Sequence, residues 1–206
     1  MAEAAIVHII EDDASLRAAL DSLFRSVGMQ TRSYGTVQDF LDGRQHAGAP
    51  GCLVLDVRLP GMSGLDFQAQ LAEHQVLLPV VMMTGHGDIP MTVQAMKAGA
   101  VDFLTKPFRD QDMLDAVAAA IERDRQRRSQ GRTTLILQER FAALSPREQQ
   151  VMALVTAGKM NKQVAGDLKL SEITVKIHRG AAMRKMGAQS LADLVRMAEA
   201  LNLRPN

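Results

Sequence analysis

The alternation of short apolar segments with amphipathic ones through the first 120 residues constrains the fold more than any other feature. Segments such as Cys52–Leu55 and Pro79–Met83 are almost continuously apolar, which is typical of strands that a parallel sheet buries on both faces. Because strands that alternate with helices build βαβ units, the pattern predicts a doubly wound α/β fold. The predicted strands are Ala5–Ile10, Met29–Tyr34, Cys52–Leu55, Val80–Thr84 and Val101–Leu104, and the predicted helices are Ala14–Val27, Val37–Arg44, Gly64–His74, Ile89–Ala98 and Asp110–Arg123.

The C-terminal third of the chain has a different pattern, because no strand signal returns after Phe141. Ser145 as an N-cap, Pro146 in the first turn and Glu148 at the capping-box position indicate the start of a helix. The sequence therefore predicts an all-α four-helix domain here. Its predicted helices are Pro146–Ala157, Asn161–Leu168, Glu172–Met186 and Ser190–Ala200.

The stretch between the two patterns, residues 121–140, is polar, mostly basic and interrupted by Gly131. We interpret it as the end of the fifth helix running into a solvated connector, and a basic helix that contacts DNA or a partner is the alternative. The predicted organisation is a first domain over residues 1–124, a basic linker or helix extension over 125–140, and a second domain over 141–206.

The net charge of +1 hides a division of charge along the chain. Residues 1–120 contain 15 acidic and 8 basic residues, a net charge of −7, whereas residues 121–206 carry +8. Such asymmetry suggests an acidic part and a separate basic part that meets polyanions. A chance drift of surface charge along the chain is the alternative.

Cys52 is the single cysteine, so no internal disulfide can form, and we predict a buried thiol in an apolar strand. The apolar runs are too short to span a bilayer, and the N-terminus lacks the pattern of a signal peptide. We therefore expect a cytoplasmic protein with no membrane partner.

Acidic residues are concentrated where two of the predicted strands end. Glu11, Asp12 and Asp13 follow the first strand, and Asp56 follows the third. Ligands of doubly wound sheets bind beyond the carboxyl ends of the strands, where these acids would converge and repel one another. A hard divalent cation relieves that repulsion, and oxygen ligands favour Mg²⁺. For Asp13 we prefer the simpler interpretation of a helix N-cap.

Two further strand ends add a hydroxyl and a cation, since Thr84 ends the fourth strand and Lys106 follows the fifth. A carboxylate nucleophile, a metal ion, a hydroxyl donor and a lysine are together what the transfer of a phosphoryl group onto aspartate requires. The four strand ends thus predict a phosphoacceptor site at Asp56.

These residues and the motifs around them resemble the receiver domain of response regulators over residues 5–124. The motifs are Glu11-Asp12, Asp56-Val-Arg-Leu-Pro-Gly-Met-Ser-Gly64, Thr84-Gly-His and Lys106-Pro107. The resemblance implies a flavodoxin-like, five-stranded parallel sheet of order 2-1-3-4-5. It also implies that Asp56 accepts phosphate from a histidine kinase, and that Mg²⁺ binds to Asp12, Asp56 and the backbone carbonyl of Arg58, with Glu11 acting through water.

The same resemblance implies the parts of a switch. Thr84 would bond to the phosphoryl group, and Lys106 would pair with it across a Lys-Pro peptide that is often cis in the family. Phe103 occupies the position of the switch aromatic, which turns inward when Thr84 moves.

The second domain contains a candidate helix-turn-helix, with Asn161–Leu168 as its first helix and Glu172–Met186 as its second. We expect Val164, Ala165 and Leu168 to face Ile173, Val175 and Ile177, or their neighbours, as a small core. Basic residues on these helices would contact DNA phosphates, although they could serve only to keep a bundle soluble. They are Lys162, Lys176, His178, Arg179, Arg184 and Lys185.

The motifs of this region resemble the LuxR-type domain over residues 143–197, and the pairing with a receiver resembles the FixJ subgroup of the NarL/FixJ family. They are Leu144-Ser-Pro-Arg-Glu148, Gly158-x-x-Asn161-Lys-Gln-Val-Ala165, Thr174-Val-Lys-Ile-His-Arg179 and Arg184-Lys-Met186. The family implies that Glu172–Met186 lies in the major groove and that Ser190–Ala200 helps to pair two subunits. Base contacts would then come mainly from Thr174, Lys176 and Arg179.

The expected function is that of a two-component transcriptional regulator, which is activated by phosphorylation of Asp56 and is not an enzyme. The resemblance implies that it dimerises on promoter DNA and acts as an activator. Its expected partners are a sensor histidine kinase, promoter DNA, RNA polymerase and a second copy of the chain, paired through Met91, Met96, Ala100, Val101 and the fifth helix. The rival is a metal-dependent phosphatase with an aspartyl-phosphate intermediate. Such enzymes usually carry a second aspartate two residues after the nucleophile, where this chain has Arg58. A receiver that dimerises without phosphate is a third possibility.

Overall fold

The computed structural model describes residues 4–43 and 49–203. The chain divides into two compact units, which are Met1–Arg128 and Ser129–Asn206. The strands are β1 Ile6–Ile10, β2 Gln30–Tyr34, β3 Gly51–Asp56, β4 Val80–Thr84 and β5 Asp102–Thr105. The helices are α1 Ala14–Ser26, α2 Val37–Gly43, α3 Gly64–Gln70, α4 Ile89–Lys97, α5 Asp110–Ala142, α6 Pro146–Thr156, α7 Asn161–Leu168, α8 Glu172–Met186 and α9 Leu191–Ala200. Arg44, the predicted end of the second helix, lies outside the described residues. Residues 1–3 of the predicted first domain and residues 204–206 of the predicted second domain also lie outside them.

The first unit contains a five-stranded parallel sheet of order β2-β1-β3-β4-β5, which confirms the predicted doubly wound fold. Every residue of β1, β3 and β4 is buried, because helices cover both faces of the sheet. On one face, Phe24 of α1 and Val117 of α5 pack against strand residues such as Val54. On the other face, Phe40 of α2 and Phe67 of α3 pack against residues that include Leu55. Cys52 is fully buried in this sheet, as predicted.

Helix α5 continues through residues 125–140, where the sequence indicated a connector interrupted at Gly131. Asp124 supports this continuation, because its buried carboxylate accepts hydrogen bonds from Arg127 and Arg128, three and four residues further along, both at 2.6 Å. The same carboxylate accepts the backbone N–H of Gly51 at 3.0 Å and so joins α5 to the start of β3. A single exposed glycine costs about 1 kcal/mol in a helix interior, which is too little to end a helix made of good helix formers.

The second unit is helical, as predicted, and its α6 begins with a complete capping box. Glu148 N–H donates to Ser145 Oγ at 3.3 Å, and the Ser145 N–H donates to Glu148 Oε2 at 2.7 Å. The core of this unit includes buried side chains from every helix, among them Leu137, Val151, Val164, Val175, Met186 and Leu194.

The expectation that Ile173 and Ile177 belong to this core is wrong. Their exposed fractions are 71% and 63%, whereas Val175 between them is fully buried. The buried side chains of α8 are Val175, Ala182 and Met186, whose spacing of seven and four residues defines a single face. Positions 173 and 177 lie on the opposite side of that helix.

In the described part of the chain, no helix combines the length and the apolar character needed to cross a membrane.

Candidate functional site

Three carboxylates meet at the carboxyl end of the sheet in the first unit. The strands β1 and β3 are neighbours in which Ile10 pairs with Leu55, so the residues that follow, Glu11 and Asp56, lie side by side. Glu11, Asp12 and Asp56 each offer an oxygen within 4.8 Å of the other two. Glu11 is 1% exposed and Asp56 5%, while Asp12 is exposed to solvent.

Asp13 does not belong to this cluster. Its carboxylate accepts the backbone N–H groups of Ser15 at 2.7 Å and Leu16 at 3.1 Å, which confirms the predicted N-cap of α1. These hydrogen bonds lower the pKa of Asp13. The candidate metal ligands are therefore Glu11 and Asp12, the pair that the sequence favoured, together with Asp56.

Lys106 also reaches the cluster, although it comes from β5, which lies two strands away from β3 in the sheet. It follows β5, and its long side chain places Nζ 2.7 Å from Asp56 Oδ2 and 2.6 Å from Glu11 Oε2. Burial raises the pKa of Glu11, and the hydrogen bond from Lys106 only partly offsets that effect. Burial alone would lower the pKa of Lys106, but its hydrogen bonds to Asp56 and Glu11 raise it above the usual range. The ammonium group thus neutralises part of the acidic cluster.

Thr84 ends β4 beside the cluster and is fully buried. Its hydroxyl oxygen accepts the N–H of His86 at 3.3 Å, and its carbonyl accepts the N–H of Lys106 at 2.7 Å. Phe103 on β5 is half-buried and packs against the core on the α3 and α4 side of the sheet. The Lys106–Pro107 peptide is cis.

The loop after β3 folds back closely onto the phosphoacceptor candidate. Gly64 N–H donates to the carbonyl of Val57 at 2.9 Å, and a Cβ atom at Gly64 would lie 2.0 Å from the carbonyl oxygen of Asp56. Asp56 Oδ1 also accepts the backbone N–H of Arg58 at 3.1 Å. Glycine at position 64 is therefore required for this loop to close beside the acids.

The donor set of the cluster fits Mg²⁺, because all three groups offer carboxylate oxygens at one edge of the sheet. Glu11, Asp12 and Asp56 could hold the ion. The backbone carbonyl of Arg58 as a further ligand stays a prediction.

In the second unit, α7 and α8 form the predicted helix pair. Lys169, in the left-handed region with φ 54°, ends α7, and Ser171 caps α8 by accepting the N–H of Thr174 at 3.1 Å. Of the predicted DNA contacts, Lys162, Lys176, Arg184 and Lys185 are exposed, although Lys185 also has a partner within the unit.

The remaining predicted contacts are partly buried or have partners within the unit. Arg179 donates to Asn161 Oδ1 at 3.2 Å, and Lys185 pairs with Glu148 Oε2 at 2.7 Å. The hydroxyl of Thr174 bonds to that of Ser171 at 2.8 Å, and His178 is half-buried.

Comparison with known proteins identifies both units. Residues 7–118 match the family described as "Response regulator receiver domain", and residues 142–198 match "Bacterial regulatory proteins, luxR family". The transcriptional regulatory protein FixJ of Azorhizobium caulinodans is 42% identical over 96% of this chain and 93% of its own. The chain is a response regulator of the NarL/FixJ family.

This NarL/FixJ response regulator is also similar to the nodulation protein W of Bradyrhizobium diazoefficiens, at 58% identity over 98% of this chain and 88% of that protein. Among solved structures, the response regulator StyR matches with a TM-score of 0.81 and 45% identity, covering 95% of this chain and 98% of StyR. Full-length FixJ from B. japonicum matches over all of both chains, with a TM-score of 0.58 and 37% identity.

The two matched domains define the coarse function of the response regulator. A receiver joined to a LuxR-type DNA-binding domain makes it a two-component transcriptional regulator, whose partners are a sensor kinase and promoter DNA. Its relatives have the names of regulators, which is consistent with a protein that is not an enzyme. Receivers generally bind Mg²⁺ at an acidic pocket, and this receiver has a cluster of three carboxylates, Glu11, Asp12 and Asp56, at the carboxyl end of its sheet.

The sequence did not reveal two features of the response regulator. One is the buried junction of Asp124 with Gly51, which no local pattern predicts because 73 residues separate the two positions. The other is the surface of α4. Ala100 is buried, so it cannot belong to the predicted pairing face, whereas Met91 and Val101 of that prediction are half-buried. The exposed apolar side chains of α4 are Ile89, Val93 and Met96.

Proposed function

We propose that a histidine kinase phosphorylates the response regulator on Asp56, and that the phosphoryl group controls binding of α8 to promoter DNA. The observation that carries this proposal is the position of Asp56, buried at the end of β3 with the Lys106 ammonium 2.7 Å from its carboxylate and with Glu11 and Asp12 beside it. This arrangement supports the proposal, because it holds the Asp56 carboxylate next to a cation and to two further carboxylates that could bind Mg²⁺.

The transfer would proceed by attack of an Asp56 carboxylate oxygen on the phosphorus of a phosphohistidine. The P–N bond breaks while the P–O bond forms, and the histidine ring takes a proton from solvent. Lys106, already paired with Asp56, then offsets the added charge of about −1.5 to −2. Mg²⁺, which Glu11, Asp12 and Asp56 would hold, would supply further positive charge to offset that of the phosphoryl group.

Thr84 and Phe103 would pass the change to the surface of the receiver. Thr84 must give up its contact with the His86 N–H to reach the phosphoryl group, which frees Phe103 to turn inward. We place the resulting homodimer contact on α4, β5 and α5, with Ile89, Val93 and Met96 as its apolar residues. These residues lie four and three positions apart, so they share one side of α4, and all are exposed.

The DNA-binding output would rest on α8 in the major groove, with phosphate contacts from the basic residues around it and with α9 helping to pair two subunits. We further propose the boundaries 1–124 for the receiver, 125–140 for its basic helical extension and 141–206 for the DNA-binding domain. Because promoter DNA lies in the bacterial cytoplasm, the protein would act there. An activating contact with RNA polymerase stays a prediction from the family resemblance.

Covalent labelling tests the proposed acceptor. The full-length protein is incubated with acetyl phosphate and Mg²⁺, and its intact mass is measured. Wild type should gain one phosphoryl group, whereas Asp56→Asn should gain none. Labelling of Asp56→Asn at the wild-type rate would refute the assignment. Steady turnover of simple phosphoesters by wild type would favour the rival phosphatase, which Arg58 in place of an acidic residue argues against.

A further inference from the structure

The last carbonyl group of α8 accepts a hydrogen bond from a different helix. Arg140 of α5 donates from Nη1 to the carbonyl oxygen of Met186 at 2.8 Å. The last four carbonyl groups of a helix have no partner within it, and their partial negative charge attracts cations. Arg140 therefore supplies both a donor and a positive charge to the carboxyl end of α8.

The residue that follows α8 leaves room for this contact. Gly187 ends the helix with φ 77°, in the left-handed region that favours glycine. A Cβ atom at this position would lie 2.7 Å from Arg140 Nη1, so a side chain there would displace the guanidinium group. Glycine at position 187 thus serves both the turn of the backbone and the approach of Arg140.

The contact joins α8 to a helix that begins in the receiver. Helix α5 starts at Asp110, and its last turns belong to the second unit, in whose core Leu137 is buried. The last turn of α8 is also tied to α6, by the ion pair of Lys185 with Glu148 at 2.7 Å. Loss of the Arg140 contact should therefore leave α8 folded and attached to α6, but without its polar attachment to α5.

Two polar contacts at different heights of α8 together fix its direction. One lies in the middle of the helix, where Arg179 donates to Asn161 of α7 at 3.2 Å. The other is the contact of Arg140 with Met186 at the carboxyl end. Glu172 and Met186 are each seven residues from Arg179, at opposite ends of α8. A shift of the carboxyl end about this middle contact would therefore move the amino end by a similar distance in the opposite direction.

We propose that Arg140 is a positioning residue for DNA recognition, which fixes the tilt of α8 and so aligns its amino end with the bases. Hydrogen bonds to base edges hold only within a few tenths of an ångström, so a tilt of α8 would break them. Contacts of flexible lysine and arginine side chains with phosphates tolerate such a shift and are independent of sequence. This inference rests on the proposed function, because it requires α8 to bind DNA.

The test compares specific with non-specific DNA binding when the Arg140 contact is removed. Full-length protein, phosphorylated with acetyl phosphate, first selects a duplex from a random-sequence library. The dissociation constants for that duplex and for a scrambled duplex of the same composition are measured at several salt concentrations, for wild type and for Arg140→Met, which keeps the aliphatic stem and removes the donors. Arg132→Met, at an exposed position of the same helix, removes the same charge and is the matched control.

Arg140→Met should bind the selected duplex about tenfold more weakly, the effect of losing one base contact. Its affinity for the scrambled duplex and its salt dependence should equal those of wild type. Arg140→Lys, which keeps a donor and the charge, should recover most of the specific affinity, and Arg132→Met should behave as wild type. Loss of stability alone would not produce this pattern, because a variant that is folded at the assay temperature would bind both duplexes normally.

Hydrogen exchange checks the contact in the protein without DNA. The backbone N–H groups of Gly187 and Ala188 donate back into the last turn of α8. A peptide that covers residues 183–188 should therefore exchange faster in Arg140→Met than in wild type or Arg132→Met, while circular dichroism shows that all three are folded. Equal exchange in the three proteins would contradict the role of Arg140 at the end of α8.

Two further outcomes of the DNA titrations would overturn this inference. Equal losses for both duplexes, with a salt slope smaller by about 0.9, would make Arg140 a phosphate contact. An unchanged affinity of Arg140→Met for the selected duplex would show that the contact does not position α8. Both outcomes would leave the proposed function intact, since a sequence had been selected. If wild type enriched no duplex, the proposed function itself would fail, and this inference with it.

Discussion

Lys106 Nζ lies 2.7 Å from Asp56 Oδ2, although β4 separates the strands from which the two side chains come. Only a long, flexible side chain can bridge that separation, and the same ammonium also reaches Glu11 at 2.6 Å. Two buried carboxylates therefore share one cation in the unphosphorylated protein. This sharing makes the stability of the receiver depend on what occupies the site.

Removal of Lys106 should destabilise the receiver in a way that Mg²⁺ reverses. Lys106→Ala leaves Glu11 and Asp56 buried without their cation, and we expect a loss of about 2–3 kcal/mol in unfolding free energy when EDTA is present. Urea unfolding with EDTA or with millimolar Mg²⁺ measures this, and Mg²⁺ should restore a large part of the loss. Arg109→Ala, which removes an exposed ion pair with Asp112, is the control and should show no measurable change. An equal loss in both solutions would contradict a metal site at these carboxylates.

The sheet and most of the acidic site could be predicted because their signals are local. Apolar runs that end in Glu11, Asp56 or Thr84 indicate both the strand and the chemistry at its end, since parallel strands bring their carboxyl ends to one edge. The N-cap of α1 at Asp13 and the capping box at Ser145 could be predicted for the same reason, because both depend on hydrogen bonds between residues close in sequence.

The errors arose where tertiary packing decides the outcome. Ile173 and Ile177 have the composition of core residues, but their positions relative to Val175 place them outside the core. Residues 125–140 have the composition of a connector, yet they are helical, and the ion pairs from Asp124 to Arg127 and Arg128 support the first turn of this extension. Burial of Ala100 depends in the same way on neighbours that the local sequence does not specify.

A substitution at Gly131 tests the continuity of α5. Glycine there lies within the helix with open space around its missing Cβ, so Gly131→Ala should raise the unfolding free energy by about 0.5–1 kcal/mol. Thermal unfolding followed by circular dichroism measures the change, and Gly131→Pro should lower the helical signal. If residues 125–140 were an irregular connector, neither substitution would change the helical content.

Replacement of Lys176 by alanine should affect DNA binding, whereas replacement of Lys185, also on α8, should affect stability. Lys176 is exposed on α8, so Lys176→Ala should weaken DNA binding and reduce the slope of log affinity against log salt by about 0.9. Lys185 pairs with Glu148 and holds the pKa of that carboxyl low, so Lys185→Ala should mainly lower the stability of the second unit. Titrations of a fluorescent duplex at several salt concentrations separate the two. An equal loss of slope in both variants would place Lys185 at the DNA.

His8 should make the stability of the receiver depend on pH. Its ring is buried on β1 beside Tyr34 and Phe40, and burial, helped by the charge of Arg32, lowers the pKa of His8 to about 4. The unfolded chain binds this proton near pH 6.5, whereas the folded protein does not bind it until the pH is about 4. The free energy of unfolding should therefore fall as the pH is lowered from 6.5 to about 4. The loss between pH 7 and pH 5 should be about 2 kcal/mol. His8→Phe, compared by urea unfolding at both values, should remove most of this difference; an unchanged difference would assign it to other groups.

The most direct test of the central claim is the DNA affinity of the full-length protein before and after phosphorylation of Asp56. A duplex selected by the protein is titrated with wild type and with Asp56→Asn, each with and without acetyl phosphate and Mg²⁺, and the phosphoryl content is checked by intact mass. Phosphorylation should tighten binding by wild type at least tenfold, about 1.4 kcal/mol, and should leave Asp56→Asn unchanged. Wild type that carries a full phosphoryl group yet binds DNA no more tightly, or an Asp56→Asn variant that responds as wild type does, would contradict the account.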